Sequence, residues 1–166
     1  KRKGGVKVHT LIQSDEDVPC LIRFTSAAAH DSTFLNELQL PEGSILVFDK
    51  GYNDYRHFQR FSDEKVTWVT RKRKNAVYKI LEHRPVSEAQ RSRGVKKDRS
   101  ILLGHHHHSN HPFVEARLID FVDKESGKKF QFITNSTRLA PATIAALYKK
   151  RWQIEILFKR FKQNYR

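Results

Sequence analysis

Short hydrophobic segments separated by polar turns predict strands in the first part of the chain. Residues 6–12 alternate apolar and polar side chains, which is typical of a half-buried strand. Residues 18–25 follow a polar turn at residues 14–17 and predict a second strand, so that the two would form a β-hairpin. Residues 44–48 are almost wholly apolar and predict a central strand that is covered on both faces.

Helical spacing of apolar residues predicts two helices around that central strand. Residues 27–38 contain a possible capping residue at Asp31 or Ser32 before an apolar cluster, which predicts a short helix. Residues 54–63 carry an aromatic side chain at every third position and predict a second helix, which a strand at residues 66–70 follows. The first half therefore has the predicted order β-β-α-β-α-β.

The second half is predicted to be rich in β-structure and to end in a helix. Residues 75–112 are charged and weakly periodic, whereas residues 114–122 and 129–134 predict strands on either side of a turn. From Pro141 onward the pattern is that of a long helix without glycine or further proline. We predict one α/β domain over residues 1–166, in which a β-rich insertion at about residues 75–135 precedes the last helix.

Size and composition exclude several classes of protein. The chain has 166 residues, of which 38% are hydrophobic, enough for one core and too many for a disordered tail. Its longest apolar runs are far shorter than the roughly 20 residues that span a bilayer, so no membrane partner is expected. A single cysteine excludes an internal disulfide and favours a reducing, cytoplasmic compartment. The absence of methionine even at position 1 suggests a piece of a longer protein, although a processed or engineered start would look the same.

Positive charge is concentrated in one stretch of the sequence. The chain carries 32 Lys and Arg against 18 Asp and Glu, for a net charge of +14. Residues 71–99 alone carry eleven of these cations and three acids, a net charge of +8. A focused excess of this size indicates a polyanionic partner such as nucleic acid, although a basic but inert surface is the alternative. We predict that four residues of this stretch line a DNA path: Arg71, Arg73, Lys96 and Lys97.

The last predicted helix gathers acidic, basic and phenolic side chains on one stripe. At about 100° per residue, Tyr148, Arg151, Glu155 and Lys162 fall within about 60° of one another. A neighbouring apolar stripe would bury the helix against a sheet: Leu147, Ile154, Phe158 and Phe161. A carboxylate between cations suits a site where metal and phosphate meet. The alternative is an exposed helix face with an ordinary Arg151–Glu155 ion pair.

A second candidate carboxylate, Asp49, directly follows the central strand. The carboxyl ends of central strands are where open α/β sheets bind ligands and metals, although Asp49 could equally form a turn or cap a helix. If Asp49 and Glu155 converge, they would hold a divalent cation, while Arg151 and Lys162 would neutralise phosphate charge.

These residues together resemble the insertion-sequence DDE transposases. The series Tyr148-x2-Arg151-x3-Glu155-x6-Lys162 resembles the Y-(2)-R-(3)-E-(6)-K signature of that family. Residues 47–52, Val-Phe-Asp-Lys-Gly-Tyr, are similar to the block around the family's second catalytic aspartate. The resemblance covers essentially the whole chain, since residues 7–10, 30–31 and 150–155 also look like family sequence.

The resemblance implies an RNase H-like fold, with a mixed sheet flanked by helices and a β-rich insertion before the last helix. It makes Asp49 the second catalytic aspartate, Glu155 the catalytic glutamate, and Tyr148, Arg151 and Lys162 contacts to DNA phosphates. The implied cofactor is Mg²⁺ or Mn²⁺ in a two-metal site. The implied reaction is hydrolysis at transposon ends, followed by transfer of the freed 3′-hydroxyl into target DNA. The implied partners are double-stranded DNA and a second copy in a synaptic homodimer, in a bacterial cytoplasm and at the nucleoid when bound to DNA.

One departure from the family pattern limits these expectations. The first catalytic aspartate of such enzymes lies on a strand before the opening hairpin, and this chain starts just after that point. We therefore expect the chain alone to bind DNA without cleaving it, and its sheet to lack an internal neighbour. Two other functions remain open, a non-catalytic nucleic-acid-binding domain and a related metal-dependent nuclease. The run His105–His108 predicts an exposed loop that binds metal adventitiously.

Overall fold

The computed structural model describes residues 8–13, 19–24, 40, 42–48, 55–104 and 113–150. Within these residues, eight strands form one sheet and three helices accompany it. The strands are β1 (Val8–Gln13), β2 (Pro19–Phe24), β3 (Ile45–Val47), β4 (Thr67–Arg71), β5 (Tyr78–Arg84), β6 (Val95–Leu103), β7 (Val114–Val122) and β8 (Lys129–Thr134). The helices are α1 (Tyr55–Asp63), α2 (Glu88–Ser92) and α3, which is described over residues 141–150.

The sheet is mixed and has the strand order β1-β2-β3-β4-β8-β7-β6-β5. The strands β2, β3 and β4 run parallel, and all other neighbours are antiparallel. The structure differs from the expectation of a missing neighbour inside the sheet, because β2 hydrogen-bonds directly along β3 with Leu21 opposite Leu46. This pairing satisfies backbone groups of β3 that would otherwise be buried without partners.

Among the described residues, the two faces of the sheet pack against different helices. Successive side chains of a strand point to opposite faces. Val47 and Val69 accordingly lie in a core cluster with α3, whereas Trp68 lies in a second cluster with α1. Trp68 is fully buried, and its ring stacks on Phe58 with centroids 4.2 Å apart. The described residues thus confirm the predicted fold class, an RNase H-like α/β fold with a mixed sheet.

Several predicted elements are confirmed at their expected places. The strands β7 and β8 have the predicted bounds, and β3, β4 and α1 differ from theirs by one or two residues. The predicted β-rich stretch before the last helix contains β5 to β8, and β8 pairs with β4, so this stretch extends the same sheet. The division into a domain with an insertion stays a prediction, and the predicted helix at residues 27–38 lies outside the described residues.

Gly94 allows the turn before β6 to pass close to β7. Its φ of +111° is a conformation that other residues rarely adopt, and a Cβ there would overlap the carbonyl oxygen of Val122. Because the Val122 amide also donates to the Gly94 carbonyl at 2.9 Å, the two segments cannot easily separate. We expect Gly94→Ala to lower the free energy of unfolding by about 2–3 kcal/mol in urea titrations.

Gly127 supplies the control for this substitution. It also has a positive φ, +71°, but a Cβ there would meet open space. Gly127→Ala should therefore cost only the backbone strain, about 1 kcal/mol. Equal losses in the two variants would show that the overlap with Val122 is unimportant.

Candidate functional site

The position immediately before Asp49 is fixed at the carboxyl end of the central strand. Phe48 is fully buried, its amide donates to the Val69 carbonyl at 3.1 Å, and its carbonyl accepts from Thr70 Oγ1 at 2.8 Å. These hydrogen bonds join the carboxyl ends of β3 and β4. Asp49 itself lies outside the described residues, so its contacts stay a prediction.

The helix that leads toward Glu155 packs on the same core as β3. Tyr148 in α3 is only 2% exposed, and its ring lies 5.1 Å from that of Phe132 in β8. Val47 of β3 and Leu147 of α3 belong to the same cluster. The structure therefore gives the Tyr148 ring a packing role, and contact of its hydroxyl with a phosphate stays a prediction. The other members of the predicted stripe, Arg151, Glu155 and Lys162, lie outside the described residues.

No metal site is formed by the part of the chain that the structure describes. Within that part, no three His, Cys, Asp or Glu side chains come together in a way that could hold a metal ion. The predicted ligands Asp49 and Glu155 and the run His105–His108 all fall outside it.

A basic groove lies where the carboxyl end of β4 meets β6, β7 and β8. Its volume is about 610 Å³. Five cationic side chains line it: Arg71, Lys72, Lys74, Lys96 and Lys129. Its remaining lining residues are Asp120, Phe121, Val122, Phe130 and Gln131. The groove is assembled by pairing between β4 and β8, which brings residues about sixty positions apart in sequence to one surface.

Aromatic contacts and burial hold two of these cations in place. The Arg71 guanidinium carbon lies 5.2 Å from the Phe130 ring centroid, a cation–π distance. The Lys72 Nζ atom donates to the Arg73 carbonyl at 2.9 Å and lies 5.6 Å from the Tyr78 ring. Burial lowers the pKa of Lys72, Asp120 opposes this shift, and Arg99 adds to it. A phosphate bound nearby would raise the pKa of Lys72 again, because a negative charge favours the protonated amine.

Among the described residues that line the groove, the one carboxylate is already paired. Asp120 Oδ1 accepts hydrogen bonds from Arg99 Nη2 at 2.5 Å and from Gln131 Nε2 at 3.0 Å. Its charge is therefore largely balanced by Arg99, and the five lining cations leave the groove strongly positive. This combination of positive charge and apolar lining residues suits a sugar–phosphate backbone.

A family model described as "Transposase DDE domain" matches residues 1–166. The chain belongs to the DDE transposase family. Membership fits the mixed α/β fold and the motifs around Asp49 and Glu155, whereas assignment to the Y-(2)-R-(3)-E-(6)-K type stays a prediction.

Three curated transposases are similar to this DDE-family chain over nearly its whole length. Putative transposase y4zB of Sinorhizobium fredii is 32% identical over 164 residues, which are 98% of the chain and 46% of that protein. A putative transposase for insertion sequence element IS4SA of Synechocystis sp. is 28% identical, over 96% of the chain and 44% of that protein. A probable transposase for insertion sequence element IS5377 of Geobacillus stearothermophilus is 24% identical, over 97% and 41%. The chain spans less than half the length of these relatives.

The groove only partly coincides with the basic residues chosen from the sequence. Arg71 and Lys96 line it, whereas Arg73 and Lys97 are exposed outside its lining. Lys129 was missed because it lies thirty residues beyond the charged stretch, and only the β4–β8 pairing brings it to the groove. Among the described residues, no helix is both long enough and apolar enough to span a membrane.

Proposed function

We propose that the chain is the catalytic core of a DNA transposase that cleaves transposon ends and joins them to target DNA. The observation that carries this proposal is that β3 and α3, the elements that lead to Asp49 and Glu155, pack in one core cluster through Val47 and Tyr148. Two elements held against each other in this way can bring their following carboxylates to the same edge of the sheet.

The chemistry rests on these two carboxylates. Carboxylate oxygens are the donors that Mg²⁺ and Mn²⁺ prefer, and Asp49 and Glu155 would hold such ions. When bound, two divalent ions activate a hydroxyl nucleophile and stabilise the leaving oxygen. Arg151, Lys162 and the Tyr148 hydroxyl would hold and orient the phosphates around the cleaved end, because cationic and hydroxyl donors match phosphate oxygens.

The basic groove would hold double-stranded DNA on the same chain. Its lysines would contact phosphates without reading base sequence, and such contacts set affinity and orientation. The substrate would be a transposon end and, after cleavage, the target duplex. A homodimer in the synaptic complex and a place at the bacterial nucleoid belong to the same proposal.

The deciding experiment is an end-joining assay with the complete protein encoded by the gene. A duplex with a terminal 3′-hydroxyl should be joined to a plasmid in Mg²⁺, and the same duplex with a 3′-deoxy end should not be joined. Cleavage without joining would favour the metal-dependent nuclease instead. Binding to both duplexes without either reaction would favour the non-catalytic DNA-binding domain.

Removing positive charge from the groove should weaken DNA binding and its dependence on salt. The triple variant Lys74→Gln/Lys96→Gln/Lys129→Gln removes three exposed cations of the lining. The slope of log affinity against log salt concentration should fall in magnitude by about 2 to 3, because each phosphate contact contributes about 0.9. The loss of affinity should be similar for unrelated DNA sequences.

The matched control lies at the opposite end of the parallel strands. Lys65 and Arg138 are exposed and line a different cavity near the amino ends of β3 and β4. The double variant Lys65→Gln/Arg138→Gln should leave the slope unchanged. If both variants change the slope equally per charge removed, the groove has no special role in binding.

A further inference from the structure

The first turn of α3 lacks a capping side chain of its own. The Ala140 carbonyl accepts from the amides of Thr143 and Ile144 at 3.0 and 3.2 Å, which makes Ala140 the residue that opens the helix. Alanine has no side-chain acceptor, and Pro141 at the next position has no amide hydrogen to satisfy. The Ala142 amide is therefore the first donor of the helix that requires an acceptor from elsewhere.

Gln90 supplies that acceptor from 52 residues earlier in the chain. Its Oε1 atom accepts from the Ala142 amide at 2.9 Å. Gln90 is itself held in the short helix α2, since its amide donates to Ser87 Oγ at 3.2 Å and its carbonyl accepts from the Arg93 amide at 3.1 Å. The backbone of the capping residue is thus held in place by hydrogen bonds within its own helix.

Other polar side chains of the β-rich stretch also hold α3 and the segment before it. Those contacts are Arg84 Nη2 to the Thr137 carbonyl at 2.9 Å, Arg117 Nη1 to the Ser136 and Leu139 carbonyls at 3.2 and 2.6 Å, and Lys149 Nζ to Asp123 Oδ1 at 2.6 Å. Asp123 follows β7 directly, next to the groove-lining Val122. The β-rich stretch, which contributes part of the groove lining, therefore also holds α3 near both ends of its described part.

Directional contacts and apolar contacts constrain the helix in different ways. The burial of Ile144 and Tyr148 fixes which face of α3 meets the sheet, but apolar packing is non-directional and tolerates small slides. A hydrogen bond at the first turn fixes where the helix starts and its direction. The sequence predicts that the helix continues to Glu155, 13 residues after Ala142. Over the length of about 20 Å that such a helix would have, a tilt of about 5° at its start would move its end by about 2 Å.

We infer that Gln90 is a positioning residue for the reaction: by capping α3, it sets where the helix delivers Glu155. This inference rests on the proposed function, because it uses the metal-binding role of Glu155. Mg²⁺ demands near-octahedral geometry, so a displacement of this size at one carboxylate weakens metal binding and slows cleavage. The β-rich stretch then both binds DNA and orients the helix of the active site.

The test compares Gln90→Ala with Gln90→Glu in the complete protein. Gln90→Ala removes the acceptor, whereas Gln90→Glu keeps an oxygen there and adds a negative charge that a helix N-terminus favours. In Gln90→Ala we expect hydrogen exchange of the Ala142 amide to accelerate about tenfold. We also expect Mn²⁺ affinity, measured by electron paramagnetic resonance, and the rate of single-turnover cleavage to fall about tenfold each. Gln90→Glu should have Mn²⁺ affinity and a cleavage rate close to those of the wild type.

Gln59→Ala provides the matched control, because Gln59 Nε2 donates to Asp63 Oδ1 at 2.9 Å on α1, away from α3. It should leave Mn²⁺ affinity and cleavage unchanged. Wild-type Mn²⁺ affinity in Gln90→Ala, with or without faster exchange at Ala142, would overturn the inference. If the wild-type protein cleaves no DNA, the proposed function fails, and the Mn²⁺ affinities still decide the role of Gln90.

Discussion

Asp49→Asn and Glu155→Gln should each lower metal-dependent cleavage of transposon ends by about a thousandfold or more, with little effect on DNA binding. Each substitution keeps the shape of the side chain and removes one negative oxygen donor. A lost metal ligand costs several kcal/mol of transition-state stabilisation, and about 4 kcal/mol corresponds to a factor of about a thousand. The measurements are made on the complete protein. They are the single-turnover cleavage rate in saturating Mg²⁺ and the DNA affinity when a chelator has removed the metal.

Acidic residues at and just after the end of α1 provide controls with the same chemical change. Asp63 and Glu64 are exposed, and Glu64 lies 3.7 Å from Arg60 in a surface ion pair. Asp63→Asn and Glu64→Gln should cleave at the wild-type rate. Retention of more than a tenth of the wild-type rate by Asp49→Asn would remove it from the metal site. If Asp49→Asn loses as much DNA affinity as cleavage rate, Asp49 would instead contribute to DNA binding.

The sequence predicts most accurately those elements whose periodicity matches their burial. The strands β3, β7 and β8 consist largely of buried apolar residues, and α1 carries an aromatic stripe that packs on Trp68. In contrast, β5 is an edge strand whose five central residues are exposed, so its pattern carries no burial signal. The alternation of β6 is broken by an irregularity after Val95 and by the buried charges Asp98 and Arg99.

Residues of the candidate site could be predicted from the sequence only where a short run of charged residues or a regular spacing marks them. Arg71 and Lys96 stand out by charge in the sequence, whereas Lys129 reaches the groove only through strand pairing. By helical spacing Tyr148 belongs to the polar stripe, but Ile144 and Ala145, one turn before it, are also buried and extend the core face of α3 to Tyr148. Its ring packs against Phe132. The capping of α3 by Gln90 could not be predicted from a local pattern, because Gln90 lies 52 residues before Ala142.

Arg117→Met should be among the most destabilising single substitutions in the β-rich stretch, with an expected loss of about 3–5 kcal/mol in the free energy of unfolding. The Arg117 and Asp98 side chains are only 4% and 3% exposed, and the guanidinium forms two hydrogen bonds to the carboxylate, at 2.8 and 2.7 Å. Without Arg117, the Asp98 carboxylate stays buried with Arg84 Nε 3.9 Å away as its neighbour. Two carbonyls before α3 also lose their donor.

The double variant Asp98→Leu/Arg117→Met separates the cost of an unpaired charge from the value of the pair. Replacing both partners of a buried ion pair with apolar residues is often neutral or stabilising, so the double variant should regain most of the stability lost by Arg117→Met. Urea unfolding of the two variants and the wild type measures how much of the lost stability the second substitution regains. If the double variant remains as unstable as Arg117→Met, the loss comes from the Ser136 and Leu139 carbonyls. Arg117 would then stabilise the chain chiefly by fastening the segment before α3 to the sheet.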